Sequence, residues 1–130
     1  MASVLGTHKL VAFVPISDPE RAKAFYRDTL GLPLIEEQLP FALVFDANGI
    51  MLRATPMKQV VPASFTILGW ETTDIFATAQ ALAAAGVKFE RYPNMGQDEL
   101  GIWSAPGGAK VAWFKDPDGN ILSISQHGTL

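Results

Sequence analysis

Cysteine is absent from the 130 residues, and the only histidines are His8 and His127. The first absence removes disulfides and thiol chemistry, and it suits a reducing cytoplasm as the working compartment. Charge is sparse too: charged residues make up 18% of the chain, the formal net charge is -3, and the Lys and Arg residues are scattered along it. That distribution offers nucleic acid no basic footprint. No apolar run reaches the roughly 20 residues that a membrane helix requires. The stretch Met1–Thr7 has neither the charged start nor the long apolar core of a leader, so the expectation is a soluble, unexported chain without nucleic-acid or membrane partners. Apolar residues are plentiful at 48%, enough for one globular domain over residues 1–130 and too many for a disordered chain. A small molecule or another protein is the expected partner.

Residues 17–32, Ser-Asp-Pro-Glu-Arg-Ala-Lys-Ala-Phe-Tyr-Arg-Asp-Thr-Leu-Gly-Leu, predict a helix with its ends marked. Ser17 or Asp18 serves as N-cap and Pro19 as first helical residue, because a proline there gives up only a donor that would lack a partner anyway. Ala22, Phe25, Tyr26 and Leu30 recur at helical spacing, and Gly31 stops the helix. An apolar run, Leu10–Val14, precedes it, and Leu32–Ile35 follows.

The same unit occurs again. Asp74 opens the alanine-rich Ile75–Ala85, Gly86 closes it, and Phe65–Trp70 stands before it. Downstream, Phe45–Gly49 leading into Ile50–Arg53 has its counterpart in Lys115–Gly119 leading into Asn120–Ser123, with Asx and glycine residues at the offsets of tight hairpin turns. The plan is therefore α+β: two tandem βαβββ modules at about 8–57 and 64–127, joined by the Lys58–Ala63 connector. Strands are expected at Leu34–Glu37, Phe41–Phe45 and Ile50–Thr55, then at Lys88–Tyr92, Gly101–Ala105, Ala109–Lys115 and Ile121–Gln126. The longest polar segment, Pro93–Leu100, is either a binding loop or plain surface.

Three pieces, residues 18–32, 84–89 and 114–120, together resemble the glyoxalase, bleomycin-resistance protein and extradiol dioxygenase superfamily, the vicinal oxygen chelate fold. The resemblance runs over nearly the whole chain. It implies that each module curls its strands into half of a cavity and that the protein is a homodimer. It leaves the reaction open, since this fold hosts lyases, isomerases, dioxygenases and drug-binding proteins.

Enzymes of the superfamily hold a divalent metal with His, Glu or Gln at four positions, on the first and last strand of each module. Equal offsets from Asp18 and Asp74, and from Gly49 and Gly119, carry those positions to Val11, Ile67, Arg53 and Ser123, none of which is an expected ligand; a shift of one residue does not change that. His8 has the wrong strand parity relative to Val11, and His127 lies four residues beyond Ser123, roughly 13 Å along a strand. Neither metal nor cofactor is expected.

Strand alternation adds Phe13 and Met51 to the lining, and the resemblance adds Val111 and Trp113, with Trp103 beside them. Apolar walls with a few polar groups describe a small-molecule pocket, although the same residues could equally fill space between sheets. Trp113 stands apart because its indole N–H needs a partner. Arg53, if inward, needs an anion. A ligand carboxylate, phenolate or phosphate would serve; an internal acid such as Glu71, or exposure at a dimer seam, would serve as well. A planar aromatic anion would suit both residues. The expectation is a small-molecule-binding protein without metal, sequestering an aromatic or anionic compound. The alternatives are a lyase, isomerase or dioxygenase with a divergent or displaced site, and a structural dimer with a filled cavity.

Overall fold

Asp18 and Asp74 both start helices, and they do so in the same way. In the computed structural model, which describes residues 4–128, Asp18 accepts the N–H groups of Glu20 at 3.0 Å and Arg21 at 3.3 Å. Asp74 accepts that of Ala77 at 3.1 Å. Each aspartate satisfies N–H groups that the first helical turn leaves without a partner. Met1–Ser3, the start of the stretch read for a leader, and Thr129–Leu130 lie outside the described residues.

The chain divides into two compact units, Met1–Val60 and Val61–Leu130, with the boundary inside the Lys58–Ala63 connector. The first holds β1 (Val11–Ile16), α1 (Pro19–Lys23), a π-helical turn (Ala24–Thr29), β2 (Leu34–Gln38), β3 (Ala42–Ala47) and β4 (Ile50–Pro56). Its sheet runs β1-β4-β3-β2, with β1 parallel to β4 and the remaining pairs antiparallel. The second holds β5 (Thr66–Glu71), α2 (Ile75–Ala84), β6 (Trp103–Ser104), β7 (Lys110–Lys115) and β8 (Ile121–Gln126), in the order β5-β8-β7-β6 with β5 parallel to β8. Both units are βαβββ, as the repeated sequence requires. Among the described residues no helix is long and apolar enough to cross a membrane.

One face of each sheet is its core. Val14, Ile16, Leu43, Phe45, Leu52 and Ala54 are buried in the first unit together with Ala22 and Tyr26. In the second, Ala112, Phe114, Leu122 and Ile124 are buried, as are Ile75, Ala79, Val87 and Ile102. Each large side chain taken fully from water contributes about 1.5–3 kcal/mol. The hairpin between β3 and β4 is a two-residue turn in which both Asn48 (φ 55) and Gly49 (φ 90) are left-handed, the geometry that matches strand twist. Helix α2 ends in a Schellman motif, with Val87 N–H bonded to Leu82 O and Gly86 N–H to Ala83 O, each at 3.0 Å.

Three local expectations are corrected. The helix expected to run unbroken from Pro19 to Leu30 changes to π geometry at Ala24. Leu30 N–H reaches back to Phe25 O at 2.9 Å. Through this wider turn Tyr26 is fully buried, with its ring 5.8 Å from that of Phe45 and 5.1 Å from Phe25. The strand expected at Lys88–Tyr92 is a single bridge, Phe89 to Phe114. It stops there because Gln97 takes the next backbone groups: its amide donates to Glu90 O at 2.9 Å and accepts from Tyr92 N–H at 2.8 Å. The strand expected at Gly101–Ala105 shortens to Trp103–Ser104.

Candidate functional site

In the first unit, strand pairing puts the proposed residues on one face. Val11 lies opposite Met51 and Phe13 opposite Arg53, while the alternate residues Val14, Leu52 and Ala54 face the core. The shared face is open along β1 and at Met51, where Val11 is 42% exposed, Phe13 62% and Met51 43%, whereas Val44, opposite Arg53, is buried. Phe13 and Met51 are therefore not packed core. Arg53 is half-buried. Its guanidinium donates to Gln38 Oε1 at 3.2 Å and approaches Met51 Sδ at 3.9 Å, and Gln38 in turn donates to Glu36 Oε2 at 2.9 Å. Arg53 forms no ion pair among the described residues. Its neighbours are a neutral amide and a thioether, so its full charge remains available to an anion.

In the second unit Trp103 lies opposite Val111, and Trp113 opposite Ser123, so these four also share the face turned away from the core. The indoles of Trp103 and Trp113 are 6.0 Å apart, and Tyr92 meets Trp113 edge-on at 5.6 Å and 82°, a favoured aromatic geometry. Ser123 is buried, at 8% exposure. Its hydroxyl occupies the space beside Gly69, where an added Cβ would stand 2.7 Å from Ser123 Oγ. Gly69 is the counterpart of Phe13, so one module puts an aromatic ring and a cation where the other puts a glycine and a hydroxyl.

Ile67 is displaced from the position assigned to it. Pairing of β5 with β8 slips between Thr66 and Leu68, and Thr66 takes the place opposite Ile121 that equal offsets give to Ile67. The correspondence holds again from Leu68 onward: Ala12 opposite Leu52 matches Leu68 opposite Leu122, and Phe13 opposite Arg53 matches Gly69 opposite Ser123. A bulge of this kind inserts one residue and re-aims its neighbours.

Beside that bulge lies an open cavity of about 240 Å³ lined by Ser64, Phe65, Thr66, Tyr92, Met95, Trp113 and Ile121, with Phe65 and Tyr92 exposed at its rim. Trp113 is the one residue here that the sequence singled out. Tyr92 and Met95 come from the segment around Pro93–Leu100, whose polarity had marked it as a candidate binding loop; Phe65 and Ile121 carried no signal beyond their places at strand starts. Val111, Trp103 and Ser123 share the sheet face without lining the cavity. Both histidines are exposed, and His127 Nε2 lies 3.0 Å from Ser125 Oγ.

A sequence profile of the Glyoxalase/Bleomycin resistance protein/Dioxygenase superfamily matches residues 8–124. The chain is 31% identical over 125 residues to the uncharacterized protein YraH of Bacillus subtilis, a match covering 84% of this chain and 90% of that one. In three dimensions it is similar to TnmS3, an antibiotic binding protein from a Streptomyces species, with 26% identity, a TM-score of 0.69, and 97% of this chain and 100% of that one covered. It is also similar to lactoylglutathione lyase from Agrobacterium tumefaciens, with a TM-score of 0.72 over 94% of this chain and 95% of that one. At 17% identity that last likeness speaks for the fold alone. Two βαβββ units in tandem, with a profile match across both, make the chain a member of the glyoxalase/bleomycin resistance protein/dioxygenase superfamily.

Proposed function

We propose that this protein binds and sequesters a small aromatic or anionic compound without the help of a resident metal. The observation that carries the proposal is the cavity of about 240 Å³ walled by Phe65, Tyr92, Trp113 and Met95. Aromatic rings and a thioether bind flat, polarisable rings well. Drug-sized pockets run to roughly 300–1,000 Å³, so this one suits a fused ring system more than a large ligand. Separately, Arg53 offers a half-buried guanidinium with no carboxylate partner among the described residues, which suits an anionic group. The likeness to an antibiotic binding protein at 26% identity supports sequestration.

The four positions that hold metal in family enzymes carry poor donors here. They are Val11, Arg53, Ser123 and, in the second module, Thr66 in register where Ile67 was expected. A guanidinium repels a divalent ion, and no group of three or more His, Asp or Glu that could hold one occurs among the described residues. These residue types support the reading without a metal. The reading includes a cytoplasmic homodimer, supported by the cysteine-free composition and the family resemblance.

The test is a thermal-shift and titration series with naphthalene-1-carboxylate and its neutral carboxamide. Both should raise Tm through mass action, and Trp113→Leu should weaken both by about tenfold, as expected for a lost aromatic contact of about 1–1.5 kcal/mol. Arg53 is tested apart from that cavity, on the first unit's own sheet face, with benzoate and benzamide: Arg53→Met keeps most of the side-chain volume and should weaken only the benzoate. Ligands whose affinity is indifferent to Trp113 would sink the aromatic half of the proposal, and equal benzoate affinity in wild type and Arg53→Met would sink the anionic half.

A further inference from the structure

One wall of the open aromatic cavity is a loop whose two stems are joined chiefly by one side chain. Gln97 is half-buried and uses its whole amide on backbone. Nε2 donates to Glu90 O at 2.9 Å and to Gly101 O at 2.7 Å, and Oε1 accepts from Tyr92 N–H at 2.8 Å. The orientation of the amide is forced, because an N–H and two carbonyls cannot be served the other way round. These three bonds join the two stems of the loop, residues 90–92 on one side and 101 on the other, across its own tip.

What the loop carries is the cavity wall. Tyr92, whose amide Gln97 holds, stacks edge-on against Trp113 at 5.6 Å, and Met95 lies two residues before Gln97; all three of Tyr92, Met95 and Trp113 line the cavity. Few ladder bonds fix this segment, since sheet pairing ends at the single Phe89–Phe114 bridge. The far side of the loop is braced independently: Asp98 accepts the N–H groups of Leu100 and Ile102, each at 2.9 Å. One further tie, from the exposed Arg91 Nη2 to Glu99 O at 2.6 Å, spans the loop beside them; breaking the Gln97 bonds therefore loosens Tyr92 and Met95 while Arg91 still reaches Glu99 and Asp98 still holds residues 98–102.

We propose that Gln97 is a positioning residue for the ligand site: by tying Glu90, Tyr92 and Gly101 together it holds Tyr92 edge-on to Trp113 and Met95 at the cavity's rim, so that the protein meets a flat aromatic ligand with its open cavity already formed. The inference rests on the proposed aromatic-binding function of that cavity. A wall ordered in advance spares the ligand the cost of ordering it. If loss of the latch leaves the formed cavity populated at about a tenth, apparent affinity falls about tenfold.

Gln97→Met removes all three bonds with little change in length. Hydrogen exchange on the free variant should show faster exchange at the Tyr92 amide and its neighbours, with Leu100 and Ile102 still protected. Naphthalene-1-carboxamide, titrated well below Tm, should bind Gln97→Met about tenfold more weakly than wild type, a difference that a loss of global stability alone does not produce. Unchanged protection at Tyr92 would overturn the latch. Freed Tyr92 with unchanged affinity, in a protein whose binding still depends on Trp113, would overturn the positioning role and leave the aromatic-binding function standing. Failure of wild type to bind, or binding indifferent to Trp113, would remove that function and the inference with it.

Discussion

Replacing Asp116 with alanine should cost this protein about 3–5 kcal/mol, and the figure follows from the turn between β7 and β8. Asp116 is 5% exposed and Asn120 1%. Oδ1 accepts the backbone N–H groups of Asp118 and Asn120, each at 2.9 Å, while Oδ2 accepts Asn120 Nδ2 at 2.8 Å. Hydrogen bonds to a charged group contribute about 1.5–3 kcal/mol each, and a buried donor left without a partner costs its desolvation as well. Asp118 is half-buried, so its N–H can turn to water; the two bonds to the buried Asn120 set the estimate. The assay is urea unfolding with m held as a check on two-state behaviour, where Cm should fall and m stay constant. At roughly 4 °C per kcal/mol for a chain of this size, Tm should drop by about 12–20 °C. Asn120→Ala and the double variant complete a cycle whose coupling should be about 1–2 kcal/mol. The turn joins the strands that carry Trp113 and Ile121 to the cavity, so aromatic binding should weaken with it. An Asp116→Ala protein within 1 kcal/mol of wild type, or a coupling near zero, would show that this carboxylate does not hold the turn.

Two further predictions concern the sheet faces. Purified protein assayed for zinc, nickel, manganese and iron should hold far less than one ion per chain; a stoichiometric metal lost on replacing Ser123 or Val11 would favour an enzyme of the same superfamily. Gly69→Ala should cost about 1–3 kcal/mol by overpacking, because its Cβ would stand 2.7 Å from Ser123 Oγ, and the added Ser123→Ala change should restore most of it; no rescue in urea unfolding would mean that the two residues do not compete for that space.

The plan of the chain was legible because its signals are local. Asp18 and Asp74 cap helices with their own side chains, Gly49 and Gly86 end elements by backbone conformation, and alternation places Phe13 with Val11, and Arg53 with Met51, on one face whatever lies beyond. Equal offsets from those markers carried the correspondence of the two modules correctly from Leu68 onward. They failed at Ile67, because a bulge changes the count in one strand without leaving a mark in residue types. The π turn at Ala24–Thr29 was hidden for a similar reason: helical spacing reads the same through it, and what the wider turn accommodates is the burial of Tyr26 against Phe45, a residue in another strand. The cavity was the least visible. Trp113 announced itself by its bulk and its N–H, but Tyr92 and Met95 join it in a segment that leaves the sheet after Phe89, where Gln97 bonds the backbone of Glu90 and Tyr92. Sequence alone determined the repeat, the helix caps and the parity of the strands, since each depends on neighbours a few residues apart. The tertiary structure decided register at Thr66, the path of the loop and the walls of the cavity, since each depends on which distant backbone groups find partners.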